Sequence, residues 1–162
     1  METINDIVKE NNMNKKYELT DETKGIGGIT LHRIRALRDI PSVKVKSGDL
    51  GGWIEKESNL TQYGDAEVSD NATVCGNAKV SGDAEVRNFQ DYAVHKNSWS
   101  SGRWFTYTRS NKMWKVGCFC GTGEELVKKA YADSELSGKC YEAIVRAQEA
   151  IDKAIADAKE AK

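Results

Sequence analysis

The chain carries a single proline, Pro41, in 162 residues, and only two histidines, His32 and His95. Any reaction that needs a histidine base therefore has two places to look. Cysteine is limited to Cys75, Cys118, Cys120 and Cys140. Cys118-Phe119-Cys120 lacks the two-residue spacer of a zinc knuckle and has no histidine near it in sequence, so no metal site is expected. Long apolar runs are absent, which excludes a membrane-spanning helix. The start, Met1-Glu2-Thr3-Ile4-Asn5-Asp6, has neither the basic head nor the apolar stretch of a signal peptide. An intracellular protein with free thiols is the expectation. Excess charge is lacking too: the net charge is −1, so no global field draws the chain to a membrane or nonspecifically to nucleic acid. Any anion site must be local.

What the chain does have is a repeat. Gly64-Asp65-Ala66-Glu67-Val68-Ser69 is followed by Asp70-Asn71-Ala72-Thr73-Val74-Cys75, Gly76-Asn77-Ala78-Lys79-Val80-Ser81 and Gly82-Asp83-Ala84-Glu85-Val86-Arg87. Alanine recurs at 66, 72, 78 and 84, and valine at 68, 74, 80 and 86. Self-similarity at a fixed short period is a strong signal of a repeat architecture. Ala and Val would point inward, Glu67, Thr73, Lys79 and Glu85 outward, and Gly, Asp or Asn would turn the corners where left-handed backbone is cheap. The period predicts a short left-handed β-helix over residues 63–86. Four units give little more than one triangular turn, so capping by flanking segments and self-association, as a homotrimer, are expected.

Four segments follow. Residues 1–16 read as a polar arm or frayed helix. Residues 17–60 read as an N-terminal β cap, with alternation over 29–37 and a tight turn at Ser47-Gly48-Asp49 before Trp53. Residues 61–98 hold the β-helix. Residues 99–162 read as a β-hairpin, Trp104-Phe105-Thr106-Tyr107-Thr108 with Met113-Trp114-Lys115-Val116, and two helices. Thr122-Gly123-Glu124-Glu125 reads as a capping box that opens the first helix, and Gly138 as its stop. Tyr141, Ile144, Val145, Gln148, Ile151 and Ile155 keep a helical period in the second. The expected fold class is thus mixed β and α: a short left-handed β-helix core, an N-terminal β cap, and a C-terminal hairpin with two helices.

Three stretches together carry a resemblance: Tyr17-Glu18-Leu19-Thr20-Asp21-Glu22-Thr23 leading to Thr30-Leu31-His32-Arg33-Ile34-Arg35-Ala36-Leu37, then Gly48-Asp49-Leu50-Gly51-Gly52-Trp53-Ile54-Glu55, then the repeats. The pattern resembles bacteriophage and prophage proteins with left-handed β-helix repeats, often named hexapeptide-repeat or transferase-like. Val116-Gly117-Cys118-Phe119 after the hairpin looks like the closing domain of such chains. The resemblance implies phage origin, hence the cytoplasm of an infected bacterium, but no single activity.

Two groups could hold an anion. His32, Arg33, Arg35 and Arg38 are the densest cations, with Trp53 downstream. Arg103, Trp104, Trp114 and Lys115 precede Gly121, Thr122 and Gly123 at a helix N-terminus, whose free N–H groups favour phosphate. A ring on an aromatic with phosphate on arginine is chemically coherent. The competing reading is packing: the tryptophans fill a small core and the arginines pair with acids. His95 lies where a hexapeptide acyltransferase would keep its base, but the repeat is too short for a carrier groove. No residue is assigned a catalytic role and no cofactor is expected. The leading expectation is a non-enzymatic counter-defence protein that sequesters a small anionic ligand such as a cyclic or ADP-ribose-type nucleotide. The alternatives are a protein-directed, anti-CRISPR-like inhibitor of a host defence complex and an acyltransferase acting on a sugar nucleotide.

Overall fold

The structure, a computed structural model, describes residues 15–162. The expected arm over 1–16 lies outside them except for Lys15 and Lys16. The chain divides into two compact units, the first ending at Asp91 and the second running from Tyr92 to Lys162.

In the first unit, β1 (Tyr17–Ile26) and β2 (Ile29–Ala36) form an antiparallel hairpin. Its two-residue turn, Gly27-Gly28, has φ of +57° and +83°, a backbone that matches the right-handed twist of the flanking strands. β3 (Leu50–Ile54) pairs antiparallel with β2, and β5 (Thr73–Val74) pairs parallel with β3. The sheet order is β1-β2-β3-β5. β4 (Glu67–Val68) and β6 (Glu85–Val86) make a separate parallel pair. Alternation sets the faces. His32, Ile54 and Val74 share one row and Arg33, Trp53 and Thr73 the next, and Ile54 and Val74 are wholly buried.

The left-handed β-helix expected from the six-residue period is not formed. The strands of the repeat are two residues long, they belong to two different sheets, and the sheets are open and mostly antiparallel. Four units are too few to stack a solenoid that holds itself together, and the longer hairpin ladder of β1, β2 and β3 organises the unit instead. The inward slots of the repeat are nonetheless the core. Ala66, Ala72, Ala78 and Ala84, with Val68, Val74, Val80 and Val86, are all buried.

β3 lies against β4 through two adjacent glycines. A Cβ on Gly51 would sit 2.7 Å from the Val68 carbonyl oxygen, and one on Gly52 would sit 2.7 Å from Val68 Cγ1 and 2.8 Å from the Ala72 oxygen. Asn59, wholly buried, closes the far side. Its amide donates to the carbonyls of Ala78 (3.0 Å) and Gly76 (3.2 Å).

The second unit is an antiparallel sheet in the order β10-β9-β8-β7 with two helices. Its strands are β7 (Tyr92–Lys96), β8 (Trp104–Thr108), β9 (Met113–Val116) and β10 (Phe119–Thr122). β7, read from sequence as part of the repeat segment, is an edge of this sheet because it pairs residue for residue with β8. Helix α1 (Gly123–Asp133) opens on the Thr122–Glu125 capping box. Helix α2 (Glu135–Glu160) starts from the Ser134 cap. Gly138, expected to stop the first helix, lies inside the second: a Cβ there would fall 2.2 Å from the Tyr131 ring, so glycine lets the helices pack rather than end. Phe105, Tyr107, Trp114, Leu126, Ala130, Tyr141 and Val145 form the core.

Backbone atoms cannot move aside as a flexible side chain can, so Gly52→Ala is expected to destabilise the protein by about 1–3 kcal/mol. Gly25→Ala, whose nearest neighbour would be 4.0 Å away, should change stability by no more than about 0.5 kcal/mol. Urea unfolding followed by circular dichroism distinguishes the two.

Candidate functional site

The arginine group of the first unit is largely committed. Arg35 pairs with Glu18 across the hairpin through both Nε and Nη2. The Arg33 Nε donates to the Gly51 carbonyl at 3.1 Å, and its Nη1 lies 3.9 Å from Glu22. Arg38 is exposed in the loop after β2. Arg33 and Trp53 do come together, as cross-strand partners on one face. The guanidinium carbon lies 5.4 Å from the indole centroid, and Lys24 Nζ covers the ring at 4.4 Å. Both are cation–π distances. The ring is only 7% exposed, so the stacking face a ligand would need is already covered.

The C-terminal group is dispersed. Trp114 and Lys115 are consecutive in β9 and point to opposite faces. Trp114 is in the core and Lys115 lies opposite Cys120. Trp104 is 44% exposed, with Lys96 Nζ 5.7 Å from its ring. Arg103, also exposed, has Nη1 near Gly117. These lie at the Phe105–Val116–Phe119 end of the sheet, whereas Thr122 belongs to the Thr108–Met113 row, roughly 10 Å further along the strands. The helix N-terminus is also occupied. Thr122 N–H donates to Glu125 Oε2 at 2.8 Å, and Glu125 N–H donates to Thr122 Oγ1 at 3.3 Å. A Cβ on Gly121 would sit 2.6 Å from that carboxylate. The protein's own carboxylate fills the place proposed for a phosphate.

A cleft of about 570 Å³ does form between the sheet and α2, and Trp114 and Gly123 line it. Its polar centre is Asp152. Asp152 Oδ1 accepts from Arg109 Nε at 3.0 Å and from Gln148 Nε2 at 3.0 Å, while Oδ2 accepts from the Tyr107 hydroxyl. Burial alone would raise the Asp152 carboxyl, but the hydrogen bonds from Tyr107, Gln148 and Arg109 outweigh it and hold the group below its ordinary value. Tyr107 is driven the other way, by burial first and then by its bond to Asp152, so it stays a phenol donor. Lys112 and Lys153 stand in the lining and make no ion pair among the described residues. Glu149 is the one other acid there. The arrangement offers three cations, a fixed amide and carboxylate, and an apolar floor of Trp114 and Val145, at a volume typical of small-molecule sites.

His95 packs its ring on Phe105 (5.4 Å) and Trp114 (5.7 Å). Burial lowers its pKa; Gln148, lying against it, works in the other direction and loses. Its Nε2 has no hydrogen-bond partner among the described residues.

Sequence reasoning missed Tyr107, Arg109, Gln148, Asp152 and Lys153 as a group. One signal was there: Gln148 and Asp152 continue the 141–145 stripe of α2, and polar residues in an otherwise apolar stripe need a buried partner. No protein-family model matches the chain, and no curated protein matches it.

Tyr107→Phe removes one hydrogen bond from Asp152. The cost at pH 7 is expected at about 1–3 kcal/mol. Because the folded Asp152 is held below its unfolded value, its contribution is complete above roughly pH 4 and is lost as pH falls through the folded pKa. The cost of Tyr107→Phe should therefore shrink between pH 7 and pH 3 in urea titrations. A cost independent of pH would contradict this account of the network.

Proposed function

We propose that the chain is a non-enzymatic phage accessory protein that binds and sequesters a small anionic, nucleotide-like ligand of the cyclic or ADP-ribose type in the cytoplasm of an infected bacterium. The observation that carries this reading is the second unit's cleft, where Arg109, Lys112 and Lys153 surround a fixed amide and carboxylate. Phosphate is matched by the arginine and lysines. Base amino groups or ribose hydroxyls are matched by Asp152 and Gln148. The motifs over 17–55 that resemble phage proteins support the setting. Assembly as a homotrimer is part of the proposal, with the exposed aromatics Tyr63 and Phe89 as candidate contacts; sedimentation analysis tests it.

Isothermal titration with cyclic nucleotides and ADP-ribose derivatives should show saturable heat at micromolar protein. Arg109→Ala and Lys153→Ala should each weaken binding about tenfold or more. No heat with any of these ligands overturns the reading. A second reading, a protein-directed inhibitor of a defence complex, rests on the exposed Trp104 beside Lys96, a residue pair suited to an interface anchor. It requires a stoichiometric host partner that Trp104→Ala no longer captures. The acyltransferase reading gains nothing from the site, because His95 is enclosed by aromatic rings.

A further inference from the structure

A second cavity of the second unit, of about 380 Å³, is lined by the β7–β8 connection and both helices and shares no residue with the cleft. Asn97, at the start of that connection, is 3% exposed. Its N–H donates to the Arg103 carbonyl at 2.8 Å and closes the connection. Its Oδ1 accepts from Ser100 N–H at 2.9 Å and from Ser100 Oγ at 3.1 Å. Trp99 ties the same segment to α2, since its Nε1 donates to Ser137 Oγ at 3.2 Å and its ring meets Tyr141 edge-on at 4.9 Å. This wall is therefore fixed by the fold alone. On α1, Leu126, Lys129, Ala130 and Asp133 recur at helical spacing and line the cavity from one face of the helix. Val116 and Phe119 of the sheet join Leu126 and Ala130 as its apolar surface.

The polar groups in the lining have donors to spare. The Asn97 amide carries two N–H groups. One donates to the Tyr141 hydroxyl, at a long 3.3 Å, and the other has no acceptor among the described residues. Tyr141, 7% exposed, accepts that bond, and its own O–H has no acceptor among the described residues either. Two buried donors thus stand side by side without acceptors, an arrangement that costs free energy until an acceptor arrives. Arg103 and Lys129 add two exposed cations whose side chains make no ion pair among the described residues. Asp133 is the one acid in the lining.

Spare donors beside cations call for an anionic acceptor. Two cations against one carboxylate suit a single negative charge better than the double charge of a phosphate monoester. The apolar surface asks for a hydrocarbon body on the same molecule. The volume bounds its size: at about 30 Å³ for each water-sized group, the cavity holds on the order of a dozen non-hydrogen atoms. We propose that this cavity binds a small organic monocarboxylate, whose carboxylate accepts from Asn97 and Tyr141 and is balanced by Arg103 and Lys129, with its apolar body against Phe119 and Leu126. The site does not rest on the nucleotide reading of the cleft and stands if that reading fails.

The test compares four probes on the unaltered full chain by thermal shift and isothermal titration: 3-phenylpropionate; 3-phenylpropanamide, its neutral isostere; acetate, which keeps the charge and lacks the body; and phenyl phosphate, of similar size with a second charge. 3-Phenylpropionate is expected to raise Tm in a saturable way. The amide and acetate should each bind at least about tenfold more weakly, and phenyl phosphate should bind more weakly too. Tyr141→Phe, which keeps the ring and removes the hydroxyl, and Lys129→Gln, on the exposed side of α1, should each weaken 3-phenylpropionate about tenfold, with folding checked by circular dichroism. No heat and no shift with 3-phenylpropionate at millimolar concentration overturns the proposal. So does the amide, acetate or phenyl phosphate binding as tightly as 3-phenylpropionate, or undiminished binding in both variants. The probe series needs no variant, so a substitution that unfolds the chain does not blur the result.

Discussion

The close approach of β3 to β4 at Gly51 and Gly52 is the constraint on which the first unit depends. With no Cβ at either position, the strand comes within van der Waals contact of Val68 and the Ala72 carbonyl. That approach puts β3 between the hairpin and the repeat, where it pairs with both β2 and β5. Its register then sends Ile54 into the core and Trp53 to the face of Arg33. The same approach brings the hairpin, through Ile34 and Leu50, over β4 and so encloses a cavity of about 230 Å³. A side chain at either glycine would push against backbone, and the sheet, the tryptophan and the cavity would shift together.

The second unit depends on a different economy, that of polar groups in a small core. Tyr107 and Gln148 are buried among Trp114, Val145 and Phe105. Each carries a polar atom that must find a partner. Asp152 serves both and takes Arg109 as well. The resulting carboxylate is held ionised by its donors rather than by solvent, which fixes the arginine at the cleft. A network of this kind is rigid only when complete, so the feature that stabilises the α2–sheet contact is also the one that holds a positioned cation at the cleft.

In the cleft the protein's own groups satisfy one another, and among the described residues the charge without an ion-pair partner lies in Lys112 and Lys153. A phosphate there would add charge-assisted bonds at an accessible site.

The sequence by itself determined the local features. The Ala and Val slots of the repeat, alike in every unit, are all buried. The 27–28 turn, the hairpin of β8 and β9 and the Thr122–Glu125 box follow from residues within a few positions of one another, where backbone preference and a single hydrogen bond decide the outcome. Tertiary structure decided the rest. Whether a six-residue period closes into a coil depends on what the hairpin and β3 offer as competing partners, and here they prevail. Gly138 reads as a stop until Tyr131 is seen packed against it. The cleft joins residues 107–114 to 145–156 and the smaller cavity joins Asn97 and Arg103 to Lys129 and Tyr141, separations that no local preference spans. Burial and partner choice are properties of the packed molecule, so the chemistry of a lysine, an aspartate or a tryptophan here was set only once its neighbours were in place.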